Sequence, residues 1–71
     1  MSKASIVHKR VADNIRRIRK QKNLSQEELA FKAGINRAYV GYIERGERNP
    51  SLDTLNKLAR ALKVRLSEVV D

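Results

Sequence analysis

Residues 24–50 read LSQEELAFKAGINRAYVGYIERGERNP, which is the pattern of two short helices around a tight turn. Ser25 is placed to cap the first helix, and Glu28 three residues on gives the capping-box spacing that satisfies two free backbone donors. Leu29, Ala30 and Ala33 provide that helix with a small inward face. Gly34 then ends it, because Gly takes the left-handed conformation of a helix C′ position at little steric cost. Asn36 is placed to cap the second helix. On it Val40 and Ile43 point inward, whereas Arg37, Ala38, Gly41, Tyr42 and Arg45 fall on the other side.

Working outward, Val7, Val11, Ile15 and Ile18 recur at helical spacing and predict a helix over 6–22, preceded by a frayed segment 1–5. His8, Lys9, Arg10, Arg16, Arg17, Lys20 and Lys22 surround that stripe. A basic amphipathic helix also suits a membrane surface, but this one lacks aromatic residues and its stripe is needed for the core. After the central pair, Gly46-Glu47-Arg48-Asn49-Pro50 reads as a loop, since Pro cannot continue a helix. Ser51 caps a further helix with Leu52, Leu55, Leu58, Ala59 and Leu62 on one side, Val64 plugs the core, and 66–70 forms a last short helix. The expected fold is all-α, one domain over 1–71, with helices at 6–22, 25–33, 36–45, 51–62 and 66–70.

A chain of 71 residues buries only about 60% of its unfolded surface, although 41% hydrophobic residues suffice for one core. Without Cys it has neither disulfides nor thiolate metal sites, which fits a cytoplasmic location. No apolar run reaches the roughly 18–20 residues of a membrane span. The net charge is +8, from 16 Lys plus Arg against 8 acids. Clustered cations displace counterions from phosphate backbones, so a polyanionic partner is one reading and plain solubility the other.

The central stretch resembles the helix-turn-helix of the phage-repressor (Cro/C1, XRE-like) family. The resemblance rests on Gln26 opening the first helix, small Ala30 at the helix crossing, Gly34 in the turn, and Val40 and Ile43 anchoring the second helix. The flanking IERG, Asn49-Pro50 and LDTLNKLARAL segments extend it from Val11 to Leu66. It implies a compact five-helix, lambda-repressor-like domain whose second central helix enters the major groove of double-stranded DNA. Together with the charge, this selects DNA as the polyanion.

Base edges are read near the N-terminus of such a helix. Arg37 is the leading candidate, because its planar fork donates twice to guanine O6 and N7. Ala38 either touches a thymine methyl or leaves room. Gly41, which costs roughly 1 kcal/mol of helix stability relative to Ala, implies close approach either to DNA or within the protein. Tyr42 is placed to stack or hydrogen-bond at a base or sugar. Arg37, Tyr39 and Val40 together look like the controller proteins of restriction–modification systems; by that resemblance Tyr39 reaches a phosphate or the neighbouring groove, and otherwise it is a half-buried packing residue. Gln26 is carried over from the family as a phosphate contact, at a helix start whose free N–H groups favour anions. Asn36, Arg48 and Asn49 are further phosphate candidates at the rim, with Arg45 and Arg16 adding long-range attraction. The family also implies a structural ion pair between Arg19 and Glu44.

With one His, no Cys, no clustered carboxylates and no Gly-rich phosphate loop, the sequence offers no catalytic constellation and implies no cofactor. The expected function is a sequence-specific transcriptional regulator bound as a homodimer to a two-fold-related operator, of the controller or phage-repressor kind. Such a protein represses by excluding RNA polymerase and activates by contacting it from an upstream site. The rival class is an antitoxin-like module that neutralises a protein partner and binds DNA secondarily. Leu66, Val69 and Val70 are the expected dimer surface, rimmed by Arg65, Glu68 and Asp71, because the C-terminal segment has more apolar residues than a small core needs.

Overall fold

The computed structural model describes residues 3–71, with side chains from residue 9 onward. Five α-helices follow one another: α1 (Lys3–Gln21), α2 (Gln26–Ala33), α3 (Arg37–Glu44), α4 (Leu52–Leu62) and α5 (Leu66–Val70). No strand occurs among the described residues. Helix α1 begins ahead of the expected Ile6: Lys3, Ala4 and Ser5 are helical, and nothing in that segment is a Gly or Pro that would break a helix. The part of the expected frayed segment that is Met1 and Ser2, and the side chains of Val7 and His8, lie outside the described residues.

The core is made by one face of each helix. Val11, Ala12, Ile15 and Ile18 come from α1, Leu29, Ala30 and Ala33 from α2, and Val40 and Ile43 from α3. Leu58, Ala59 and Leu62 come from α4, and Val69 from α5. The α4 stripe differs from expectation at one end, where Leu52 is 65% exposed. It is the first residue of that helix, and side chains lean toward the helix N-terminus, so it projects past the layer that Leu55 and Leu58 cover.

Helices α1 to α4 all end by the same device. A left-handed residue follows each one: Asn23 (φ 58°), Gly34 (φ 70°), Gly46 (φ 73°) and Lys63 (φ 60°). The next amide then donates to the carbonyl five residues back, which is the Schellman arrangement. Leu24 donates to Arg19 at 3.1 Å, Ile35 to Ala30 at 3.0 Å, Glu47 to Tyr42 at 2.9 Å and Val64 to Ala59 at 3.0 Å. Leu24, Ile35 and Val64 use that position to press an apolar side chain onto the core. Glu47 is the departure, being polar and exposed.

Candidate nucleic-acid interface

Helix α3 is set up by its cap and its anchors. The Asn36 Oδ1 accepts from the Ala38 amide at 2.7 Å, while Val40 and Ile43 are buried among α1, α2 and α4 side chains. Periodicity then leaves Arg37 and Ala38 exposed at the N-terminal end and Tyr42 exposed one turn further on. Tyr39 sits between the two faces, half-buried and packed against the core. Gly41 is not open on the outer side as expected. It is buried beneath Arg45, whose Nη1 would lie 3.1 Å from a Cβ at that position. The close approach that Gly41 permits is therefore to this chain's own arginine.

Helix α2 presents its start beside α3. The Ser25 Oγ accepts from the Glu28 amide at 3.0 Å, and the Glu28 carboxylate accepts from the Ser25 amide at 2.9 Å. These hydrogen bonds hold the Glu28 carboxyl below its ordinary pKa, the backbone amide of Ser25 being the largest cause. Gln26 follows at the first helical position, half-buried. Its Nε2 donates to Glu44 Oε1 at 3.1 Å, which leaves a second amide proton and the carbonyl oxygen for other partners.

Glu44 is the hub that joins the three helices. Its buried carboxylate accepts from Arg19 Nε at 2.7 Å and Arg19 Nη2 at 3.0 Å, the bidentate fork that suits this pair. Arg19 Nη1 also donates to the Leu24 carbonyl at 2.7 Å. Arg16 Nη1 reaches the Glu44 carbonyl at 3.4 Å and pairs through Nη2 with Asp13 at 2.8 Å. Among the described residues no buried side-chain nitrogen or oxygen lacks a partner.

At the C-terminal end of α3 a second polar cluster lies on the surface. Arg45 Nε donates to Glu47 Oε2 at 2.7 Å and Nη2 to Oε1 at 3.5 Å. That carboxylate holds the guanidinium above its ordinary pKa. The Arg45 and Arg48 guanidinium carbons lie 5.2 Å and 5.4 Å from the Tyr42 ring centroid, within cation–π range. Asn49 is exposed next to Arg48, and Pro50 is buried. The exposed groups along α3 and its loop thus comprise Arg37, Tyr42, Arg45, Arg48 and Asn49. They form a set of hydrogen-bond donors on a convex helix, alongside the exposed Ala38 and the Glu47 carboxylate.

The C-terminal segment requires one correction. Val69 is 0% exposed and belongs to the chain's own core, while Asn14 Nδ2 fixes its carbonyl at 2.8 Å; it has no surface to offer a partner. Leu66 and Val70 remain half-buried. The contact of Glu47 with Arg45 went unread in the sequence, where Glu47 counted only as part of the 46–50 loop and the opposite charge two residues before it was the one available signal. Among the described residues no group of three or more His, Cys, Asp or Glu is placed to hold a metal ion. No described helix is long and apolar enough to cross a membrane.

Comparison with known proteins places this geometry. The helix-turn-helix family profile matches residues 15–69. Control protein C.BamHI of Bacillus amyloliquefaciens is 47% identical over 58 residues, spanning 80% of this chain and 72% of that protein. The crystal structure of the restriction-modification controller protein C.AhdI from Aeromonas hydrophila has a TM-score of 0.86 at 45% identity, covering 87% of this chain and 94% of that one. The controller protein C.Esp1396I, as a tetramer in complex with its natural 35 base-pair operator, has a TM-score of 0.80 at 29% identity, covering 92% of this chain and 96% of that one. With α2 and α3 as its helix-turn-helix and α1, α4 and α5 as their support, this chain belongs to the helix-turn-helix family of transcriptional regulators.

Proposed function

We propose that this protein is a sequence-specific regulator of the restriction–modification controller type, which binds a two-fold-related operator as a homodimer. The observation that carries this reading is the outer face of α3, where Arg37, Ala38 and Tyr42 stand exposed on a helix anchored by Val40 and Ile43. In the major groove Arg37 donates to a guanine edge, and Ala38 and Tyr42 make apolar contact beside it. Gln26, with its free amide proton, meets a phosphate at the start of α2, and Asn36, Tyr39, Arg48 and Asn49 contact the backbone around it. One such helix discriminates by only about 1–3 kcal/mol per base pair, so two copies about 34 Å apart are needed against the excess of non-specific sites. Leu66 and Val70 are the apolar residues left for that pairing. Bound between promoter elements, the dimer represses by exclusion; bound upstream, it activates by touching RNA polymerase.

Selection of bound sites from a random duplex pool tests the reading. The expected result is a two-fold-related consensus. Arg37→Ala is expected to lose about 1–3 kcal/mol on it and relax one position in each half, while Gln26→Ala weakens all sequences alike. An unchanged consensus with Arg37→Ala would remove its base-reading role. Log K is also expected to fall with log salt by about 0.9 per neutralised phosphate, and a flat dependence would exclude DNA as the main ligand.

A further inference from the structure

We propose that Glu47 is a specificity-determining residue, whose carboxylate occupies the Arg45 guanidinium as a phosphate surrogate and so weakens binding to non-operator DNA. The inference rests on the DNA-binding reading above and concerns a residue that reads no base.

Three independent features fix the arrangement. The Glu47 backbone is held by its amide bond to the Tyr42 carbonyl at 2.9 Å, behind Gly46 in the left-handed conformation. At the same position after α1, α2 and α4 the chain uses Leu24, Ile35 and Val64 to cover the core. After α3 it uses a carboxylate that covers nothing and returns to Arg45 at 2.7 Å. The guanidinium itself is seated, lying over Gly41 where no Cβ intervenes and against the Tyr42 ring at 5.2 Å.

A carboxylate offers the guanidinium the same pair of oxygens as a phosphate diester. Without Glu47 the guanidinium would still rest on Gly41 and Tyr42, but its donor edge would be open to any phosphate that passes the edge of the groove. Non-specific complexes consist almost wholly of such contacts. An operator complex is held in one register by its base contacts, and an unpaired arginine at its edge adds less to it. Glu47 therefore acts selectively: a phosphate that takes Arg45 must first displace the carboxylate and then lie beside it. Arg48 shares the Tyr42 ring at 5.4 Å but makes no ion pair with Glu47 among the described contacts, so the surrogate is specific to Arg45.

The test is a double-mutant cycle of Glu47→Gln and Arg45→Ala in the full chain. Binding is measured across a salt series to a random-sequence duplex and to a site selected from the random pool. Glu47→Gln is expected to bind the random duplex about twofold to fivefold more tightly, the range of one exposed ion pair. Its log K against log salt is expected to be steeper by about 0.9, one added phosphate. Affinity for the selected site is expected to rise less, so the ratio of the two falls. In the Arg45→Ala background Glu47→Gln is expected to change neither affinity nor slope. An equal gain on both duplexes, an unchanged slope, or a gain that persists without Arg45 would each overturn the proposal, the last by reducing it to a general charge effect. Glu27→Gln, the same change of charge on α2 away from Arg45, is expected to leave the slope unaltered. A wild type that binds neither duplex refutes the DNA-binding reading itself, and that arm separates the two failures.

Discussion

Removing Arg19 should cost this domain a large share of its stability. The Arg19 and Glu44 side chains are 11% and 2% exposed, and their contact is 2.7 Å. Arg16 and Asp13 meet at 2.8 Å, almost the same distance, but at 43% and 51% exposure. Geometry does not separate the pairs; burial does. An exposed helix pair contributes about 0.3–0.5 kcal/mol, because water competes for both charges. Arg19→Ala instead strands a buried carboxylate with only the Gln26 amide as side-chain donor, and breaking such a pair costs about 3–5 kcal/mol. At roughly 0.05–0.15 kcal/mol per residue, a chain of 71 residues has about 4–11 kcal/mol in total. With a urea m-value of about 1 kcal/mol/M, the midpoint is expected to fall by about 3 M or more. Urea titration followed by far-ultraviolet circular dichroism measures this, with Asp13→Ala as the exposed control. The double replacement Arg19→Met with Glu44→Leu is expected to recover much of the loss, because it removes both charges together. An Arg19→Ala loss no larger than that of Asp13→Ala would refute the argument, and so would a double variant as unstable as the single one.

Lys63 holds φ 60° without being Gly or Asn, so Lys63→Gly is expected to stabilise the fold by about 1 kcal/mol, read as a higher Tm; an unchanged or lower Tm would count against backbone strain there. Glu28 has a depressed pKa in the folded state, so its contribution is fully present above its unfolded value of roughly 4.3 and is lost as pH falls through the lower folded value. Glu28→Gln is therefore expected to flatten the acid limb of a stability-against-pH curve, and an identical limb would remove the capping box as its cause. For the proposed dimer, Val70→Asp is expected to stay folded and lower self-association in sedimentation, whereas Val69→Asp is expected to unfold because it puts a carboxylate into the 0% exposed core. A folded Val70→Asp that associates like the wild type would move the interface elsewhere.

The parts of this fold that were legible in sequence are those where one residue type has one local use. Ser25, Asn36 and Ser51 accept the capping bonds, and Gly34 takes the left-handed turn between α2 and α3. The end of α4 at residue 62 was legible, but the left-handed turn at Lys63 was not, because lysine has no preference for φ above zero; that turn brings Val64 onto the core. Val69 and Leu52 illustrate a second gap. Both are apolar residues near an element end, and the period does not say whether a short α5 is pressed flat or where the α4 layer stops. The burial of Gly41 was illegible for another reason: the group that covers it is a long side chain four residues on, and its path depends on Glu47 beyond the turn.

The manner in which α3 is held differs from the other helices, and the difference suits the base-reading task proposed for it. Apolar burial through Val40 and Ile43 keeps the helix in place but is non-directional, so it tolerates small rotations about the helix axis. A rotation of that kind would swing Arg37 and Tyr42 across the face of a groove. The bidentate contact of Glu44 with Arg19 has a fixed plane, and the Gln26 amide on the same carboxylate ties that plane to the start of α2. The orientation of the exposed face is thus set by a polar hub whose desolvation is offset by three side-chain hydrogen bonds. The same hub couples the two halves of the helix-turn-helix: a change at Arg19, remote from the exposed side chains of α3, should disturb Gln26 and Arg37 together. Arg37 on α3 and Gln26 on α2, the base and phosphate contacts proposed above, would then move as one mechanical unit, with Glu44 as the joint.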